Sequence, residues 1–197
     1  MIRQHIRPAV VLTLLLCALT GLLYPGAVTV VAQLLFPWQA RGSLITREGH
    51  VVGSRLIGQA FAEPYYFHPR PSAAGTGYDA TASAGSNKGP TDSKLADTLI
   101  AEAIAKVVKE DGGRKGHIPA DMVTASASGL DPHISPANAL LQVNRVARER
   151  GADPGAVQAL VGRYTEGRQF GVLGEPAVNV LELNLAVDSA YPRPRRP

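Results

Sequence analysis

Between Arg7 and Arg41 the chain carries no charged side chain, and 21 of the 28 residues from Ala9 to Phe36 are apolar. A run this long exceeds the roughly 20 residues needed to cross a hydrocarbon core of about 30 Å. It predicts one transmembrane helix over 9–36. The run is also longer than the apolar segment of a secretory signal, about 7–15 residues, and no small-x-small cleavage site follows it, so a retained anchor is expected. Pro25-Gly26 breaks the middle of the span, which predicts a kinked helix whose freed carbonyl is satisfied by packing on a partner.

Charge sets the expected orientation. Arg3 and Arg7 precede the span, whereas only Arg41 lies close behind it. The positive-inside rule then predicts a cytoplasmic N-terminus over 1–8 and an extracytoplasmic domain over 37–190. The sequence pI of about 9.4 comes from the ends, because Arg41 to Ala190 holds 15 basic and 16 acidic residues. No nucleic-acid footprint is expected from such a balanced domain. Cys17 lies in the span, so the domain has no disulfide and must be held by its own core.

The domain reads as mixed α and β. Leu44 to Phe61 predicts a hairpin turning at Arg47-Glu48-Gly49-His50. Glu63 to Thr91 is rich in Pro, Gly and Ser yet carries Tyr65, Tyr66, Phe67 and Tyr78, which predicts an ordered loop packed on the domain or on a partner. Leu95, Leu99, Ile100, Ala103, Ile104, Val107 and Val108 give a helical stripe over Ser93 to Glu110. Met122 to Ala127 is expected as a short strand. Ser135-Pro136 and Asp153-Pro154 begin two helices, the first stopping at Gly151. Val178 to Val187 fits strand or helix, with Asn179 and Glu182 as a capping pair favouring helix. Tyr191 to Pro197 is expected to be a disordered, basic, Pro-rich tail.

Catalytic chemistry finds little support. The histidines are scattered and no metal-ligand spacing occurs, so neither a metal site nor a catalytic residue is expected. Ser126, Ser128, Asp131 and His133 lie close together but lack a G-x-S-x-G elbow, and turn formation and helix entry account for them. Gly85-Ser86-Asn87-Lys88-Gly89-Pro90 lacks phosphate-loop spacing and is expected to be a turn.

Several strings occur together and in order: Gly21-Leu22-Leu23-Tyr24-Pro25, Gly42-Ser43-Leu44-Ile45, Tyr66-Phe67-His68-Pro69-Arg70-Pro71-Ser72-Ala73, Ser128-Gly129-Leu130-Asp131-Pro132-His133 and Leu173-Gly174-Glu175-Pro176. In them the chain closely resembles the KdpC family, the small subunit of the bacterial Kdp potassium-transporting P-type ATPase. The resemblance implies a single-pass inner-membrane subunit without catalytic residues of its own, assembled with the channel-like KdpA, the ATP-hydrolysing KdpB and the small KdpF. It also implies a role as a catalytic chaperone that raises the affinity of KdpB for ATP. A signature-like segment and a helix glutamine are invoked there, for which Ser126, Ser128, Gly129 and Gln142 are the matching residues. Leu130 and Asp131 depart from the Ser-Gly-Gly-Gln signature. An extracytoplasmic domain could not touch cytoplasmic ATP, so ATP is expected to enter only indirectly, through KdpB. The alternative is an anchored extracytoplasmic binding protein or enzyme unrelated to transport.

Overall fold

The computed structural model describes residues 2–193 and divides into two compact units, one ending at Val52 and the other beginning at Gly53. In the first, α1 (Ile2–Ala18) and α2 (Tyr24–Leu35) are joined by a π-helical turn, Leu19–Leu23. Together Arg3–Leu35 form one helix long and apolar enough to cross a membrane, with none of its most apolar window buried. The wide turn has a local cause. Pro25 brings no N–H to the helical ladder, and immediately before it the Tyr24 N–H reaches back five residues to the Leu19 carbonyl.

A short helix α3 (Pro37–Ala40) follows, and its Trp38 indole donates to the Leu44 carbonyl at 3.0 Å. The expected hairpin is present as β1 (Leu44–Arg47) and β2 (His50–Ser54). Glu48 and Gly49 take φ of 52° and 82°, the positive pair that a two-residue type I′ turn requires.

The second unit is built on three helices and a small antiparallel sheet. Helix α5 (Pro136–Arg150) starts where Ser135 Oγ accepts from the Asn138 N–H and ends at Gly151 in the left-handed region. The Asp153 carboxylate caps α6 (Pro154–Arg163) in the same way. Asn179 resolves the ambiguous segment by serving both alternatives: it ends β5 (Ala177–Asn179) and caps α7 (Val180–Ala190) by accepting from Glu182. The sheet runs β3-β5-β4, with β3 (His133–Ile134) and β4 (Thr165–Glu166) flanking β5. Its register pairs Ile134 with Val178 and Thr165 with Val178. Ala139, Val143, Val146 and Ala147 on α5 meet Val157 and Val161 on α6 and Val180, Leu183 and Val187 on α7 in one buried cluster.

The predicted stripe at Ser93 to Glu110 is helical but begins as a π-helical stretch, Lys94–Ile100, before α4 (Ala101–Asp111). The strand expected over Met122 to Ala127 does not form. Ala120–Met122 is a 3₁₀ turn, and Thr124 Oγ1 donates back to the Ala120 carbonyl at 2.7 Å, so the β-branched pair closes a turn instead of extending. Of the expected tail, Pro194 to Pro197 lie outside the described residues. Tyr191 packs on the core cluster and Arg193 pairs with Asp188.

Candidate functional site

The stretch from Glu63 to Tyr78 makes no strand, yet Phe67 and Ala74 are fully buried. Buried backbone needs hydrogen-bond partners, and here helix side chains supply them. The Asn184 amide grips both sides of Phe67, accepting from its N–H at 2.8 Å and donating to its carbonyl at 3.0 Å. Gln142 repeats the arrangement one residue on, at His68, at 2.7 and 3.0 Å. Arg145 donates to the carbonyls of Pro64 and Tyr66, and Arg150 to that of Tyr65. Two amides and two guanidiniums thus take the place of a neighbouring strand.

Both arginines are neutralised in place. Arg145 Nε lies 2.7 Å from Asp111, with both side chains 3% exposed. Arg150 Nη2 lies 2.7 Å from Asp188, and the Arg150 guanidinium sits 4.9 and 5.0 Å from the Tyr65 and Tyr66 ring centres. Burial alone would raise the Asp188 carboxyl, but hydrogen bonds from Arg193, Arg150 and Tyr66 outweigh it and hold its pKa below the usual value. The partner-facing role offered for the aromatic loop is therefore corrected in part: Phe67 is in the core, Tyr66 donates to Asp188, and Tyr78 donates to the Arg70 carbonyl at 2.7 Å.

Beside this loop lies a cavity of about 360 Å³ lined by Phe61, His68, Arg70, Lys106, Glu110 and Gln142, among others. Arg70 Nη1 pairs with Asp131 at 3.0 Å, while its buried Nε has no partner. Burial first, and then the Arg145 charge, depress the His68 imidazole below its ordinary value of 6.5. The folded chain therefore binds the His68 proton less readily than the unfolded chain, and stability should be full above about pH 6.5 and decline as the pH falls from there toward the folded value. Comparing melting temperatures of wild type and His68→Gln between pH 8 and pH 5 checks this. The variant is expected to lose part of the acid-side decline.

The four residues matched by resemblance fall in two places. Gln142 is 1% exposed, and both of its donors and both acceptor positions are used, by His68, Asn138 and Arg145. Ser126 borders a different, open cleft with Gly85 to Gly89. Ser128 Oγ accepts from the Leu130 N–H, and its carbonyl accepts from Ser83 Oγ. Gly129 has φ of 67°, and a Cβ there would stand 2.6 Å from the Ala84 carbonyl oxygen and 2.7 Å from the Ala74 nitrogen. The nearby Asp131 accepts from the His133 N–H as a turn and pairs with Arg70. Among the described residues no group of three or more His, Cys, Asp or Glu could hold a metal.

Sequence reasoning passed over Asn138, Arg145, Arg150 and Asn184. A signal existed: Asn138, Gln142 and Arg145 follow i, i+4, i+7 spacing beside the apolar stripe of α5, so they share a buried face.

A single apolar helix joined to a domain whose buried polar groups are spent on its own loop marks a membrane-anchored protein of structural or subunit type. The family profile described as "KdpC: K+-transporting ATPase, c chain" matches residues 6–189. A "Potassium-transporting ATPase KdpC subunit" of Gemmatimonas aurantiaca is 65% identical over 94% of this chain and 93% of its own. Proteins of the same name from Koribacter versatilis and Rhodospirillum rubrum are 51% and 56% identical, over 98% and 96% of this chain and 98% and 97% of their own. The chain belongs to the KdpC family, the accessory rather than the catalytic chains of potassium-transporting ATPases.

Proposed function

We propose that this chain is the non-catalytic, single-pass subunit of an ATP-driven potassium uptake complex in the inner membrane, where it assembles or stabilises the KdpA and KdpB subunits beside KdpF. The observation that carries this reading is the family match over residues 6–189, which takes in both the span and the domain. The span runs with its N-terminus in the cytoplasm, supported by Arg3 and Arg7 ahead of it and Arg41 alone close behind. The domain then lies outside the cytoplasm.

In this reading any influence on ATP affinity reaches KdpB through its conformation. A subunit that binds one pump state about tenfold better than another shifts their balance by about 1.4 kcal/mol without touching nucleotide. Ser126, Ser128, Gly129 and Gln142 act as residues of the fold, since the hydrogen bonds of Gln142 and the crowded backbone of Gly129 are internal to the domain. Deleting the gene is expected to abolish growth at limiting potassium and lower recovery of the assembled complex, both restored by the intact chain. Unimpaired uptake with an intact complex would refute the reading.

A further inference from the structure

Residues 167–176 connect β4 to β5, and their tip presents Phe170, Val172 and Leu173 at 92%, 71% and 56% exposure. The tip is rigidly built. Gln169 and Leu173 exchange both backbone hydrogen bonds, at 2.8 and 2.9 Å, the Gly171 and Val172 N–H groups close the turn onto Arg168 and Gln169, and Arg168 pairs with Glu175 at its base.

Phe170 is the informative residue. It has φ of 53°, a left-handed conformation that a bulky side chain adopts at a cost and that Gly or Asn adopts easily. Its ring buries almost nothing within the chain, so the fold gains nothing from a phenylalanine there. Strain that the fold does not use points to a contact made outside the chain. Three apolar side chains inside a rim of paired charges, Arg168 with Glu175 and Arg55 with Glu166, also match the anatomy of a protein interface. A lipid surface fits less well: the segment carries no Trp or Tyr, and its one cation is already paired.

We propose that this tip is a preformed apolar plug that seats Phe170 in an apolar pocket on another subunit of the same potassium-transporting complex. The inference rests on the subunit role given above. Because the turn is already rigid, little order is lost on docking, and one central aromatic can carry much of the binding.

The test uses the full chain in its assembled complex. Phe170→Cys in a Cys17→Ser background, labelled with a thiol-reactive benzophenone and irradiated, is expected to give an adduct with another subunit. Phe170→Asn suits the left-handed backbone and should keep the wild-type melting temperature, yet lower recovery of the chain with the complex after a high-salt detergent wash by about tenfold. Adducts with lipid alone, no adduct, or full recovery of the Asn variant would overturn the proposal while leaving the subunit role standing. Failure of the wild-type chain to co-purify would defeat both.

Discussion

Asp188→Ala is expected to destabilise the domain by about 3–5 kcal/mol, the range for breaking a buried ion pair by removing one partner. The Asp188 side chain is 5% exposed and Arg150 fully buried. Without the carboxylate, the Arg150 guanidinium keeps the Tyr65 and Tyr191 carbonyls and two ring faces but no counter-charge. Arg150→Ala should be milder, because Asp188 would retain Arg193 and the Tyr66 hydroxyl. Denaturant unfolding of the full chain in detergent measures both. A pH series adds a signature: the depressed carboxyl stabilises the fold above its unfolded value near 3.8 and loses that contribution as the pH falls through the lower folded value. Asp188→Ala should therefore flatten the most acidic part of the stability curve.

Phe67→Ala should cost about as much, roughly 3–5 kcal/mol, from lost transfer energy and the cavity left behind. The ring is fully buried in the cluster shared by α5, α6 and α7. It is also the side chain whose own backbone Asn184 grips on both sides, so removing it unseats the segment that Gln142 and Arg145 hold next to it. Phe67→Leu should recover much of the loss. Hydrogen exchange would show whether protection disappears first at Phe67 and His68, whose N–H groups depend on the Asn184 and Gln142 side chains.

Local chemistry was legible in the sequence wherever a few neighbouring residues decide the backbone. Ser135-Pro136 with Gly151, Asp153-Pro154, and the Glu48-Gly49 turn all act within one helical turn or one hairpin. Met122 to Ala127 misled because β-branched Val123 and Thr124 suggest a strand, whereas the Thr124 hydroxyl binds back to the preceding turn.

The aromatic loop shows a different limit. Its order was legible from its four rings, but its destination was not, since Gln142 lies 74 residues after His68 and Asn184 lies 117 after Phe67. A polar residue on a buried helix face has no visible partner until the fold brings one. The same holds for Phe170, whose left-handed backbone no nearby glycine spacing announces. The family resemblance, by contrast, was legible from ordered strings along most of the chain, and the profile match over residues 6–189 agrees with it.

The central claim is that the domain works outside the cytoplasm as part of a potassium uptake complex, on an anchor entering from the cytoplasmic side. The most direct measurement fuses to the C-terminus, in separate strains, a phosphatase active only outside the cytoplasm and a fluorescent protein that matures only inside. We expect an active phosphatase and a dark fluorescent protein. A fluorescent fusion with an inactive phosphatase would contradict the account and return direct ATP contact to the domain.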